Sequence, residues 1–322
     1  MSSSSWTALT DAAAPTAAVE ISAQRVSAAA VEWRGGQPIV AAHAVEALPA
    51  DVVVPSLTAR NVLDHDAAAA AVARVLDGIG RPRRVGLIVP DLVAKISLVR
   101  FEQVPARPQD LAQLVRWQVK KAAPFPIEEA QVSFVPGLRA PDGQEFLVSA
   151  ARTDIVREYE DVCSAAGAHA GIVDLSTLNV VTAVLAGSPP GGDWLLVNVA
   201  SDYASIALLR GAHVIFFRNR SADADGSLTD LVHQTTMYYQ DRLQGIGLSR
   251  VLLSGASAAA GHDSADVEQL RRNLEARVGT AVAAVDPRAA AALTDRIGAS
   301  PALLDTLAPL VGLLLRHREA AA

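Results

Sequence analysis

The strongest constraint on what this chain can fold into is a strand–turn–strand pattern near its start that returns about half a chain later. The first copy runs from Val19 through Glu20-Ile21-Ser22-Ala23-Gln24-Arg25-Val26 to Val31, with Gly35 beyond it. The second runs from Val197 through Asn198-Val199-Ala200-Ser201-Asp202-Tyr203-Ala204 to Leu209, with Gly211 beyond it. In both, apolar and polar residues alternate into a short polar turn and out again, the period-two pattern of a hairpin with one buried face. Two copies of one hairpin predict two related domains. A cleft between such halves would be walled by the two turns.

Length and composition agree with that plan. The chain has 322 residues, enough for two ordinary domains, and 51% of them are hydrophobic, enough for sizeable cores. The net charge is −6, and no face-wide Lys/Arg stripe is present, so no nucleic-acid partner is expected. Cys163 is the only cysteine, which excludes an intramolecular disulfide and a cysteine zinc cluster; it reads as a small core residue on a helix. No apolar run reaches the ~20 residues of a membrane span, and the first residues lack the basic and apolar regions of a signal peptide. Residues 1–16 read as a disordered lead-in.

Beyond the first hairpin, strands and helices alternate, which predicts a mixed α/β architecture. Ile39–Leu48 reads as a strand, Leu63–Ile79 as an alanine-rich helix, and Val85–Pro90 as a buried strand. In Pro108–Ala122, Leu111, Leu114, Val115 and Val119 recur at helical spacing. That helix stops at Ala123-Pro124-Phe125-Pro126, which the prolines hold extended. Gln131–Val135 and Glu145–Ser149 read as a strand pair across Ala140-Pro141-Asp142-Gly143. Ser188-Pro189-Pro190-Gly191-Gly192 is the clearest linker, and Ala302–Arg316 a closing apolar helix.

Four stretches resemble the PilM family, the cytoplasmic actin-like proteins of type IV pilus assembly. They are Leu114-Val115-Arg116-Trp117-Gln118 running into Pro124-Phe125-Pro126-Ile127-Glu128-Glu129; Phe146–Arg152 with Gly171-Ile172-Val173-Asp174; Met237-Tyr238-Tyr239-Gln240 with Val251–Gly255; and Val311-Gly312-Leu313-Leu314-Leu315-Arg316. The resemblance implies an actin-like fold, duplicated ribonuclease H-like domains around a cleft. It implies a first domain of residues 17–91 plus 153–187, an inserted α+β subdomain of 92–152, and a second domain of 193–318. It implies a partner as well: the N-terminal cytoplasmic tail of a PilN-like bitopic inner-membrane protein, together with other pilus platform proteins. The protein itself is then cytoplasmic and peripheral to the inner membrane.

The chain departs from the ATP-binding members of that family at all three cleft turns. Where relatives have Asp-Ile-Gly in the first hairpin, this chain has Glu20-Ile21-Ser22; in the second it has Asn198-Val199-Ala200, followed by Ser201. The relatives' adenine-side Gly-Gly turn is Gly255-Ala256 here. Glycines let backbone N–H groups reach phosphate oxygens with no Cβ in the way, and Asp holds magnesium through its water shell. The expected site is therefore degenerate at Glu20, Ser22, Asn198, Ala200, Ser201, Gly255 and Ala256, with no cofactor needed and ATP with Mg bound weakly at best.

No other chemistry competes. The histidines, at 43, 65, 169, 213, 233, 262 and 317, show no metal-ligand spacing. There is no GxxxxGK[ST] loop, and Gly255-Ala256-Ser257 lacks the second glycine of a nucleophile elbow. No catalytic residue and no metal are expected. Arg81-Pro82-Arg83-Arg84 reads as a solvated turn. Trp117 and Phe125 have two readings: core of the inserted subdomain, or, with Pro124 and Pro126, the stiff rim of a peptide site. The expected function is a binding scaffold. The rivals are a working ATP switch of the same family and a type II secretion L-type cytoplasmic domain, which would continue into a transmembrane helix.

Overall fold

A computed structural model of the protein describes residues 15–259 and 263–319, so the expected lead-in lies almost wholly outside the described residues, as does His262. The first hairpin forms where the alternation places it: β1 (Ala17–Ile21) turns into β2 (Arg25–Arg34), followed by β3 (Gln37–Ala47), α1 (His65–Gly78) and β4 (Arg84–Val89). The chain then leaves for β5 (Ala94–Phe101), α2 (Pro108–Val119), β6 (Ala130–Ala140) and β7 (Gly143–Arg152). It returns through α3 (Thr153–Ala165), β8 (His169–Leu175) and α4 (Ser176–Gly187). The second half is β9 (Asp193–Val199), β10 (Tyr203–Arg210), β11 (His213–Ser221), α5 (Leu228–Arg242), β12 (Arg250–Ser254), α6 (Ser264–Val278) and β13 (Val282–Ala284). The chain closes with β14 (Ala292–Leu293) and α7 (Pro301–Glu319). β11 and β14 are not among the predicted elements: β11 turns polar halfway along, and β14 is two residues long.

The strands build two large sheets, ordered β14-β3-β2-β1-β4-β8 and β11-β10-β9-β12-β13. With β14 set aside, the two match position for position. In each, the first strand pairs antiparallel with the second and parallel with the fourth. The fold is actin-like, two related α/β lobes around a cleft. The register makes the correspondence residue-specific. Ile21 opposes Val26 across the first turn and Val199 opposes Ala204 across the second. Glu20, Ser22, Arg25 and Ser27 thus correspond to Asn198, Ala200, Tyr203 and Ser205.

The first sheet is covered on both faces, which is why β1 and β4 read as nearly continuous apolar runs. Ala17, Val19 and Ile21 face the core under α1 and α3, while Ala18 faces α7. Ala29, Ala18 and Gly86 lie side by side on adjacent strands and give α7 its seat; a Cβ at Gly86 would run into Leu313. Gly312 does the same for the crossing of α7 over α4, since a Cβ there would strike the Asn179 backbone. These contacts correct the second domain expected over 193–318. β14 pairs with β3, and α7 buries Leu307, Leu310, Val311 and Leu313 on the first lobe. The chain returns home because the row of small residues that admits a helix lies on the first sheet.

The three strands β5-β7-β6 form a separate antiparallel sheet with α2 on one face. Leu111, Val115 and Val119 are buried there at the predicted spacing. Cys163 is buried in the first core, and burial pushes its thiol up to about 12, so it stays protonated.

Candidate functional site

The two hairpin turns share one backbone conformation. Ser22 N–H donates to Arg25 O at 2.9 Å, and Ala200 N–H to Tyr203 O at 2.8 Å. Both turns face the interlobe cleft, whose lining includes Glu20, Ser22, Asn198, Ala200, Ser201 and Gly255. Six predicted positions are thereby brought together. The seventh, Ala256, is a correction: its methyl group is buried in the second lobe's core and adds no bulk to the cleft. Gly255 causes this. At φ +79° it swings the chain tightly past Val199, where any Cβ would meet the Val199 carbonyl, and Ala256 is turned inward.

The cleft encloses only about 40 Å³, against the ~300–1,000 Å³ of ordinary small-ligand pockets. Its floor is a buried polar network built from both lobes. Asp91, just past β4 and 0% exposed, is the centre. Its carboxylate accepts from Thr177 N–H at 3.1 Å, from the Thr177 hydroxyl, and from the Ser205 hydroxyl at 2.6 Å. Asp91 N–H donates to the Tyr203 hydroxyl at 3.2 Å, and Asn219 Nδ2 donates to Asp91 O at 3.1 Å. Asn198 Nδ2 donates to Thr177 Oγ1 at 2.8 Å. Asp91 and Thr177 belong to the first lobe; Asn198, Tyr203, Ser205 and Asn219 belong to the second. Burial pushes the Asp91 carboxyl above the usual range, and the Ser205 and Thr177 hydrogen bonds pull against that. Glu20 stays within its own lobe, accepting from Ser176 Oγ at 2.8 Å and Ser27 Oγ at 3.3 Å.

A second set of contacts closes the far end. Asp305, on α7, accepts the Ser257 N–H at 2.7 Å. Its carboxyl is raised by burial, while hydrogen bonds from Gly255 and Ser257 and the nearby Arg25 draw it down. Arg25 donates across the cleft to the Ala258 carbonyl. Asp91, Arg25 and Asp305 were not predicted as site residues. The only sequence signal for Asp91 is a carboxylate set in the apolar run Val89-Pro90-Asp91-Leu92-Val93.

A larger concavity of about 440 Å³ lies where the inserted sheet meets both lobes. Val135 and Leu147 come from the inserted sheet, Ile172 and Val173 from β8, Leu178 and Val181 from α4, and His213 and Val214 from β11. Asp174 and Arg316 form an ion pair in its wall. The groove is flanked by two strand edges that are free among the described residues, where β8 pairs only with β4 and β6 only with β7.

None of the predicted partner-binding residues lines this groove. Phe125 is 8% exposed and packs with Ile127, Val119 and Phe146 in the subdomain core, which corrects its reading as a rim. An aromatic ring placed just after a helix that buries every fourth residue completes the core of that helix. Pro124 and Pro126 are exposed, and Trp117, 67% exposed, lies on the outer face of α2.

A family model described as the type IV pilus assembly protein PilM matches residues 18–235. Among solved structures, the chain is similar to a PilM–PilN type IV pilus biogenesis complex at 19% identity, covering 94% of this chain and 98% of that one, with a TM-score of 0.78. It is also similar to the ethanolamine utilization protein EutJ from Carboxydothermus hydrogenoformans, at 11% identity over 93% of this chain and 89% of that one, TM-score 0.49. The cytoplasmic domain of EpsL, an inner-membrane component of the type II secretion system of Vibrio cholerae, matches at 12% identity over 80% and 93%, TM-score 0.48.

Proposed function

The chain belongs to the type IV pilus assembly protein PilM family, and on that premise we propose that it is a scaffold that binds the N-terminal cytoplasmic tail of a PilN-like inner-membrane protein. The tail lies in the groove between the inserted sheet, β8, α4 and β11. That tail holds the protein at the cytoplasmic face of the inner membrane; among the described residues no helix is long and apolar enough to cross a membrane. The observation that carries the placement is the groove's build. It offers apolar walls for side chains and two free strand edges, β6 and β8, for an extended backbone. The similarity to a PilM–PilN complex supports the kind of partner.

Each Leu or Ile of the tail buried in the groove contributes ~2–3 kcal/mol at ~25 cal/mol per Å². Ordering a free tail offsets part of this, so the expected affinity is micromolar. The interlobe cleft takes no part in the binding. Its residues do not fit Mg·ATP: the enclosed space is too small, Asn198 brings no carboxylate, and Glu20 is bound to Ser27 and Ser176. Those observations support a degenerate nucleotide site.

A synthetic peptide spanning the partner's tail tests the placement by calorimetry. Val135→Arg, at a half-exposed groove position, is expected to weaken binding at least tenfold, while Trp117→Ala leaves it unchanged. The reverse pattern would move the site to the outer face of α2. Phe125→Ala is expected to destabilise the subdomain by ~3–5 kcal/mol, the usual range for a buried Phe, through its core rather than through the tail.

A further inference from the structure

We infer that Asp305 is a built-in anion: its carboxylate occupies the backbone cradle of the turn Gly255–Ser257, where a phosphate-type oxyanion of a ligand would otherwise sit, and so latches one lobe to the other. This rests on the reading of the cleft as degenerate and adds a mechanism to it. Asp305 sits on α7, which packs on the first lobe, whereas the turn follows β12 of the second. The contact therefore spans the cleft.

The cradle has the features of an oxyanion site. Gly255 holds a left-handed φ of +79°, which turns the chain sharply after β12 and leaves the Ser257 N–H facing α7. Ser257 N–H donates to Asp305 Oδ2 at 2.7 Å, and the neighbouring Gly255 N–H and Ser257 hydroxyl favour the ionised carboxylate. Such charge-assisted bonds are roughly twice as strong as neutral ones. The Arg25 guanidinium lies close enough to favour a negative charge, and it is itself fixed to the Ala258 carbonyl of the same turn. Arg25 Nε is buried without a hydrogen-bond partner, a free donor in the same cleft. An oxyanion ligand asks for the same surroundings: a backbone donor, a neighbouring hydroxyl and a cation. Here a side chain of the same polypeptide supplies the anion, so closure of the lobes needs no ligand.

The test uses the full chain, with inorganic phosphate and pyrophosphate as probes at constant ionic strength. Wild-type protein is expected to show no change in melting temperature with either anion. Asp305→Ala lowers the melting temperature in chloride, and phosphate or pyrophosphate restores part of the loss, because an anion that binds the folded state stabilises it by mass action. Asp305→Asn, the uncharged isostere that keeps one acceptor for Ser257 N–H, shows a smaller loss and a smaller rescue. If both variants fold and neither responds to the anions, the inference fails while the degenerate reading of the cleft stands. If wild-type protein responds as strongly as the variants, both fail. Should neither variant fold, hydrogen exchange on the wild type decides. The inference predicts that the amide of Ser257 exchanges as slowly as those of the second lobe's core, and rapid exchange there overturns it.

Discussion

The turn after β1 and the turn after β9 have one backbone and two chemistries. Both close with the same hydrogen bond, at 2.9 and 2.8 Å, and corresponding residues sit at corresponding places. Yet in the first turn Glu20 is satisfied by Ser27 and Ser176 of its own lobe. In the second, Asn198, Tyr203 and Ser205 all reach into the other lobe, to Thr177 and Asp91. The first turn sends one side chain across the cleft, Arg25 to the Ala258 carbonyl, whereas the second sends three into the buried network. Duplication supplied the same scaffold twice, and the side chains at equivalent positions decided which copy became the interlobe bridge.

Removing Asp91 gives the largest test of this contrast. Asp91→Ala strands the Thr177 N–H and two hydroxyls in a buried site, and is expected to lower stability by ~3 kcal/mol or more in urea unfolding. Glu20→Gln, at the first turn, keeps one acceptor oxygen and lets the other serine hydroxyl accept from its amide N–H, and is expected to cost about 1 kcal/mol. Equal losses would erase the distinction between the turns.

The pH dependence of stability is the next largest effect. Burial raises the carboxyls of Asp91 and Asp305 above their unfolded values. A carboxyl that holds its proton more tightly when folded contributes stability that is full below the unfolded pKa, ~3.9, and is lost as pH rises to the folded pKa. Asp193 has the opposite sign. Its hydrogen bond from Arg210 depresses it, so its contribution is lost as pH falls below the ordinary value. Asp91→Asn is expected to flatten the decline in stability above ~pH 4. An unchanged slope in that variant contradicts the assignment.

The smallest effect concerns the turn sequences themselves. Asn198→Asp with Ala200→Gly restores the residues a magnesium–nucleotide site needs at the second turn, but leaves Asp305 in its cradle and the cleft closed. Alone, this pair is expected to give no measurable Mg·ATP binding by calorimetry. Combined with Asp305→Ala, it is expected to give weak binding. Tight binding by the pair alone would show that the turn residues, not the latch, keep nucleotide out.

Much of this was legible in the chain. The hairpins, the inserted helix and most strands follow from local periodicity; five of the six cleft positions lie on the duplicated turn, and Gly255 follows from the family resemblance. The bridge was not legible, because Asp91 meets its partners 86 to 128 residues away and nothing near Pro90-Asp91 marks it. The seat of α7 depends on Ala18, Ala29 and Gly86 becoming neighbours across three strands. The groove draws its walls from all three parts of the molecule, so no contiguous motif encodes it. Phe125 admitted two readings because prolines on both sides suggest an exposed segment; the ring between them turns into the core, as the first reading has it.

The central claim is that the partner's tail is bound by a molecule whose lobes are closed by their own side chains. Calorimetric titration of the tail peptide, with and without saturating Mg·ATP, tests it most directly. The account predicts micromolar binding in both conditions with the same dissociation constant. Binding that requires Mg·ATP, or tightens tenfold in its presence, would contradict it.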